Sequence, residues 1–535
     1  MSAIAHKILL LNPPHTAIGS RIPDDHLPPL GLLAIGGPLI DAGFAVELLD
    51  ADRDPLSPEE IVRRVVAVSP RIVMVGHAGS STAHPTIADL ALRIKAALPA
   101  TRIVYGGVFP SYHWREVLDE CSAIDVIVRG EGEQTAVRVA RTLVTHGLLA
   151  TVPGCAYREA GVARATRQAR PIENLDDYRV AWELIDFDHY AYWGGRKAVV
   201  VQFSRGCPYL CSYCGQRGFW RSWRHRDPVR FARELACLHR EHGVEVVNFA
   251  DELPTASRQA WREFLEALIA ENVSLTLVGS TRAGDIVRDA DILHLYRRAG
   301  VVRFLLGIES YDESTLIAIR KDAKPREDQE AIRLLRQHGI VSMATYVVGF
   351  DDEGDRHYWH SLKQLLRYDP DQIQLLYATP LRWTRYFATV AHREVVQPDT
   401  RLWDYKHQVL ASPAMPPWRM LLWVKGIEVV MQLRPRSLLR TFFSRNPEFR
   451  HAMQWYVRMG RRVWFREVAE FLFGKRPRAT GVRLADFRGP GYGKLPIPAR
   501  EEPSLSRLRE RTPPFAWRPD WQALTEAIRK TLGFG

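Results

Sequence analysis

Cysteine is scarce in this sequence, with six in 535 residues. So few thiols exclude a disulfide framework and suit a reducing compartment. Long apolar runs are missing too. The longest apolar helix candidate, 420–431, is interrupted by Lys425 and Glu428 and is too short to cross a bilayer. No basic-then-apolar leader opens the chain, because residues 1–6 run straight into a strand-like segment over 7–11. A cytoplasmic protein is the expectation. Acidic residues are also in deficit: 61 Asp and Glu face 73 Lys and Arg, a formal net charge of +12.

What is present points to a soluble globular protein, with 46% hydrophobic and 25% charged residues. The length exceeds one ordinary core, so several domains are expected. Patterning divides the chain into 1–150, a connector over 151–195, a second repeating region over 196–395 and a helical C-terminal region over 396–535.

Strand and helix signals alternate through the first region. Apolar strands are expected over 7–12, 45–49, 71–75, 102–105 and 123–128, with helices over 31–42, 58–68 and 86–98 between them. This spacing predicts an α/β fold, a parallel sheet covered by helices on both faces. Ligands of such sheets gather beyond the carboxyl ends of the strands. The segments there are Asn12-Pro13-Pro14-His15, Gly76 to Ser81, Tyr105-Gly106-Gly107-Val108 and Arg129-Gly130-Glu131-Gly132-Glu133. None matches the Gly-x-Gly-x-x-Gly of a dinucleotide site. The connector holds a hairpin-like stretch over 154–157 and 162–165.

Half of the cysteines fall within eight residues, as Cys207, Cys211 and Cys214 in a C-x3-C-x2-C spacing. Three thiolates hold three irons of a [4Fe-4S] cube and leave the fourth iron open to a non-protein ligand. A zinc site usually takes four ligands in paired C-x2-C units, and buried free thiols need no such spacing. Strands are expected around and after this motif over 198–204, 244–250, 275–280, 303–308, 342–349 and 372–377. Six repeats fit a partial (β/α)6 barrel, whose active residues stand at strand carboxyl ends. Asp251 and Glu252, Arg282, Glu309 and Ser310, Gly349 and Tyr377 fall there. An Arg282–Glu309 ion pair joining two strands is a structural alternative.

Beyond the cysteines, residues 215–226 are dense in arginine and aromatics: Arg217, Trp220, Trp223 and Arg224 among them. This stretch could stack nucleic acid, form a solvated basic face, or cover a large planar anion. The third reading is favoured, because the stretch leaves the cysteine motif directly. In the tail, Trp403, Lys406 and His407 lie in one short run. From Trp418 to Arg478, basic residues outnumber acidic ones about threefold. Indole and guanidinium groups suit a flat macrocycle carrying carboxylates, and equally suit an amphipathic face on anionic lipid at the inner side of a membrane.

The cysteine spacing, with Tyr213 before the last thiol, resembles the radical S-adenosylmethionine superfamily. The strand-end loops of the first region resemble the cobalamin-binding domain that precedes the radical barrel in one branch of it. The whole chain is similar to the anaerobic magnesium-protoporphyrin IX monomethyl ester oxidative cyclases of bacteriochlorophyll biosynthesis. The most telling segments are 203–220, 223–228, 250–252 and 403–410.

That resemblance implies a [4Fe-4S] cluster on the three cysteines and S-adenosylmethionine held by Tyr213, Asp251, Glu252, Arg282, Glu309, Ser310 and Gly349. It implies cobalamin at Asn12, Pro13, Gly76, Ser80, Ser81, Gly106, Gly107, Val108, Arg129, Gly130 and Glu131. His26, in Asp24-Asp25-His26, is a candidate lower axial ligand. The implied substrate is a magnesium porphyrin, bound by Arg217, Trp220, Trp223, Arg224, Tyr377, Trp403, Lys406 and His407. The implied reaction forms the fifth ring with oxygen from water, and it draws on an external electron donor such as a flavodoxin or ferredoxin. Two other readings stay open: a cobalamin-dependent radical methyltransferase, and an RNA-binding or RNA-modifying protein. No recognisable RNA-binding module appears, so no nucleic-acid partner is expected.

Overall fold

Both sides of the first strand are apolar, and this decides the architecture. In the computed structural model, β1 (Lys7–Asn12) buries Ile8 and Leu10 on one side and Leu9 and Leu11 on the other. A strand apolar on both faces has to be covered on both. Residues 6–15, 22, 25–76, 81–216, 218–220, 222–350, 353–474 and 476–489 are described; Ser80 and Arg217 lie outside them.

β1 joins β2 (Ala45–Asp50), β3 (Ile72–Val75), β4 (Arg102–Gly106) and β5 (Val126–Val128) in a parallel sheet. The hairpin of β6 (Cys155–Glu159) and β7 (Val162–Ala165) extends it antiparallel, giving the order β2-β1-β3-β4-β5-β6-β7. Helices Leu30–Asp41 and Gly132–Val144 cover one face, and Pro58–Val68 and His84–Ala97 cover the other. The strand order reverses between β1 and β3, which opens a crevice beyond their carboxyl ends. This is the doubly covered parallel sheet expected from the sequence.

A second sheet gathers strands from the following region. β8 (Ala191–Tyr192) is a short antiparallel edge beside β9 (Arg196–Val201). A two-residue hairpin, β10 (Ser204–Arg205) with β11 (Arg224–His225), stands apart from this sheet. Then β12 (Val246–Phe249), β13 (Thr276–Thr281), β14 (Val301–Glu309), β15 (Val341–Val348) and β16 (Gln372–Tyr377) complete six parallel strands with β9. The sheet is the expected open half-barrel.

Its covering helices carry clear start signals. Helix Pro228–His242 has Pro228 in its first turn and Asp227 accepting from the Arg230 N–H at 2.8 Å, and it ends on Gly243 in the left-handed region. On the opposite face, Val246, Val302 and Val341 meet Phe449, Met453 and Trp455 of helix Pro447–Phe473.

The sequence reads 198–204 as one strand, but β9 stops at Val201. The Asp251 carboxylate accepts the Phe203 N–H at 3.0 Å and the Ser204 N–H, diverting the backbone out of the ladder. Helices Val108–Tyr112 and Trp114–Glu120 were not legible, because each is too short to show an apolar period.

β16 is the open edge of the half-barrel, and the tail meets it. Tyr377 N–H donates to the Tyr405 carbonyl at 2.7 Å, and Lys406 Nζ reaches the Leu375 carbonyl at 3.1 Å. The Tyr456 hydroxyl accepts from Ile373 N–H and donates to Ile373 O, while Gln372 Nε2 reaches Ala452 O. Helices Pro417–Leu433 and Pro435–Phe443 complete the described tail. Among the described residues, no helix is long and apolar enough to cross a membrane.

Candidate active site at the cysteine loop

The three cysteines sit on a loop whose base is pinned before the chemistry begins. The pairing of β10 with β11 brings Ser204 opposite His225 and so closes residues 206–223 into one loop. Gly206 at its neck has φ +92°, and a Cβ there would stand 2.5 Å from the Ser222 carbonyl oxygen. Only glycine fits that approach.

Asp251 accepts from Ser204 Oγ at 2.7 Å as well as from two backbone N–H groups. It is buried, and burial pushes its carboxyl up to about 7 against those three hydrogen bonds. Glu252 accepts the Gly206 N–H at 3.2 Å, and burial raises its pKa as well. Both carboxyls therefore grip the loop base. Trp223 Nε1 adds a hydrogen bond to the Leu253 carbonyl at 3.0 Å.

The loop's far side is held from the barrel. Ser212 N–H donates to Ile319 O, Tyr386 N–H to Ser212 O, and Trp383 Nε1 to Gly215 O at 2.7 Å. Cys207 is an exposed residue, yet its thiol is crowded, and Cys211 and Cys214 are partly exposed. Burial of the thiol, then the neighbouring charges of Cys211 and Cys214, push the Cys207 pKa up to about 11. Among the described residues, no three His, Cys, Asp or Glu side chains close on a point as a single metal ion would require. A cube presents three irons to three thiolates, so the loose trio fits a cluster better than a mononuclear ion.

Glu309 and Lys321 form a buried pair at the strand ends, with Nζ 2.9 Å from Oε1. Glu309 has φ +68°, a left-handed conformation that costs a non-glycine residue free energy and recurs at ligand sites. Gly307 makes room for the pair, since a Cβ there would lie 2.5 Å from Lys321 Nζ and 2.6 Å from Glu309 Oε1. Tyr213 hydrogen-bonds Glu309, and burial, followed by that carboxylate, raises its pKa well above the usual phenol value.

Ser310 Oγ accepts from Asp312 N–H at 3.2 Å. Arg282 does not pair with Glu309. Its guanidinium lies 3.5 Å over the Tyr209 ring and donates to the carbonyls of Lys321 and Asp322. Gly349 N–H donates to Glu353 Oε2 at 2.6 Å, while its carbonyl accepts from Arg393 at 3.0 Å.

The loops of the first sheet come together at its carboxyl edge, though with partners the sequence did not indicate. Glu131 accepts a bidentate grip from Arg224, at 3.1 and 2.5 Å. Glu133 is paired in parallel with Arg205. Glu131 was expected at cobalamin and Arg224 at substrate; the structure uses them to join the first sheet to the cysteine loop. Arg129 lies over the Trp114 ring at 5.4 Å, and Gly130 N–H donates to Ser111 Oγ at 2.9 Å. Gly107 has φ +113°, where Val108 begins a short helix, and Gly106 ends β4. Gly76 follows β3, and Ser81 is buried.

Asn12 Nδ2 reaches Asp50 Oδ1 at 2.8 Å, and the Pro13 carbonyl meets His15 Nδ1. His26 lies with its Nε2 3.0 Å from Asp50 Oδ2, its backbone bridging Ala191 and its ring stacked on Tyr190. Burial alone would raise the Asp50 carboxyl, but the His26, Asn12 and Tyr190 hydrogen bonds outweigh it and hold the pKa low.

The expected substrate residues separate. Trp220 lies under Arg205 at 5.0 Å and, with Trp223, stays near the cysteine loop. Trp403 is a core residue, fully buried, with its indole N–H on the Gln397 carbonyl and its ring against Phe487. Tyr377 is buried as well, and burial raises its pKa. His407 stands between Asp404, 2.9 Å from Nδ1, and Glu470, 3.3 Å from Nε2. Lys406 approaches Glu467 at 3.8 Å. Lys321, Arg205 and Trp383 were not singled out in the sequence, because their partners Glu309, Glu133 and Gly215 are brought to them only by the fold.

Comparison with known proteins agrees with this geometry. Residues 18–140 match the B12 binding domain and residues 201–365 the Radical SAM superfamily. Kitasatospora setae TsrM, a radical S-adenosylmethionine methyltransferase solved with cobalamin and a [4Fe-4S] cluster, superposes with a TM-score of 0.66 at 15% identity. That match covers 87% of this chain and 99% of TsrM, and shows the shared fold. The anaerobic magnesium-protoporphyrin IX monomethyl ester cyclase of Rubrivivax gelatinosus is 30% identical, over 77% of this chain and 74% of that protein. The Synechocystis protein of the same name is 56% identical, over 90% of this chain and 97% of its own length. The chain belongs to the anaerobic magnesium-protoporphyrin IX monomethyl ester cyclase family.

Proposed function

We propose that this enzyme converts magnesium-protoporphyrin IX monomethyl ester to divinyl protochlorophyllide, closing the isocyclic ring of bacteriochlorophyll biosynthesis without dioxygen. The observation that carries this is the 56% identity along 90% of the chain to a cyclase. The enzyme uses a [4Fe-4S] cluster, S-adenosylmethionine and cobalamin. When bound, these groups supply single electrons, hydrogen-atom abstraction and a corrin-held cobalt.

The chain's own residues set the stage. Cys207, Cys211 and Cys214 provide three thiolates, on a loop whose base Asp251 and Glu252 hold by its backbone N–H groups. Glu309, fixed by Lys321, and the nearby Tyr213 offer a polar seat for the ribose and amino-acid portion of S-adenosylmethionine. Arg224–Glu131 and Arg205–Glu133 fix the cysteine loop against the cobalamin module, so that the two cofactor sites keep one spacing. Trp220 and Trp223 present flat apolar surface beside that loop, suited to a macrocycle.

On this reading residues 1–150 carry cobalamin, 196–395 carry the radical chemistry, and the protein works in the reducing cytoplasm. A flavodoxin or ferredoxin serves as electron donor. Reconstituted protein, free of oxygen and given reductant and S-adenosylmethionine, should convert the monomethyl ester and place oxygen from labelled water in the ring ketone. Formation of S-adenosylhomocysteine with a methylated porphyrin would instead establish a methyltransferase.

A further inference from the structure

Helix Pro435–Phe443 is folded inside out. It buries Ser437 and Thr441 against the protein and turns Leu439, Phe442 and Phe443 to solvent at 58, 57 and 76% exposure. A surface helix ordinarily does the reverse. Its neighbour, Pro417–Leu433, buries Met420, Val424, Ile427 and Met431, yet its outer side exposes Trp418, Leu422 and Leu433. Helix Pro447–Phe473 runs antiparallel beside it, as the Lys425–Glu467 ion pair and the approach of Gln432 to Gly460 require. Arg458, Phe465 and Leu472 recur on that helix at seven-residue spacing, so one outward stripe holds a cation and two exposed apolar side chains. Exposed apolar surface on this scale marks an interaction site.

The charges around the patch select its occupant. Arg436, Arg445, Arg458, Arg461 and Arg466 are exposed on these helices and the turn between the last two. The acids here are engaged: Glu428 and Glu467 with Lys425, Glu470 with His407 and Arg466, and Glu448 with Arg297. A second copy docking symmetrically would set these arginines against one another, which costs free energy. Apolar side chains ringed by arginine fit the headgroup boundary of a negatively charged bilayer.

We propose that this face, centred on helix Pro435–Phe443, seats the enzyme on an anionic lipid bilayer. The inference rests on the surface alone and stands apart from the cyclase reading. Its test is flotation of the full, cofactor-loaded chain with vesicles of phosphatidylcholine alone or with phosphatidylglycerol added. Wild type should float with the anionic vesicles, at least tenfold more than with the neutral ones, and less as salt rises.

The Leu439→Ser, Phe442→Ser, Phe443→Ser triple variant should lose that binding while keeping its cyclase rate in detergent. Arg458→Glu with Arg461→Glu should lose it too. Absence of wild-type binding to anionic vesicles would overturn the proposal. So would undiminished binding by both variants, or a wild-type dimer in sedimentation that the triple variant dissolves.

Discussion

Arg224 and Glu131 lie 93 residues apart in sequence and meet through two hydrogen bonds, with side chains only 11 and 7% exposed. The same guanidinium donates to the Ile172 carbonyl. One arginine thus ties together the loop after β5, the segment entering the half-barrel and the base of the cysteine loop.

Breaking that pair leaves an uncompensated buried charge. Glu131→Ala and Arg224→Ala should each lower stability by about 3 kcal/mol, and the double variant should lose much less than the sum. Thermal unfolding of the four proteins in a double-mutant cycle measures the coupling.

Asp251 predicts a loading defect. Asp251→Ala frees the Phe203 and Ser204 N–H groups at the loop base, and iron bound per chain after reconstitution should fall severalfold. Cys211→Ala should abolish 5′-deoxyadenosine formation from S-adenosylmethionine. A Cys211→Ala protein that still makes it would remove the cluster assignment.

Stability should depend on pH in a stated direction. Burial pushes the Asp251, Asp328 and Glu353 carboxyls up to about 7. The folded chain then keeps protons that the unfolded chain releases above about 4. Their contribution is complete below the unfolded pKa and is lost as pH rises through about 7. The unfolding temperature should fall as pH rises from about 4 to about 7 and level off above that, and Asp251→Asn with Glu353→Gln should flatten that slope.

Gly307→Ala tests the seat at Glu309. The added methyl collides with both members of the Lys321 pair, so affinity for S-adenosylmethionine should drop at least tenfold by calorimetry. Trp403→Ala tests the core assignment instead. It should cost about 3–5 kcal/mol of stability, as removal of a buried indole does.

The strands were legible because parallel strands covered on both faces are apolar runs that need no partner to be recognised. The cysteine loop was legible because its chemistry is local. The partnerships were not. Arg224 and Glu131 both stood out, but a sequence offers no reason to pair two charges that lie 93 residues apart. Arg282 and Glu309 were weighed as one pair. The bend at Glu309 gives its carboxylate to Lys321, while Arg282 turns to Tyr209 and two carbonyls. Trp403 was expected at the substrate, in one short run with Lys406 and His407. Asp404 and His407 are buried with it, and Lys406 is partly so.

The hydrogen bonds along β16 make the tail part of the half-barrel itself. A closed barrel seals its last strand against its first. Here that seam is sewn by Tyr405, Lys406, Tyr456 and Ala452 instead. The tail is therefore also the closure of the half-barrel's last strand. A change in the tail that removed these bonds would leave the backbone groups of β16 without partners.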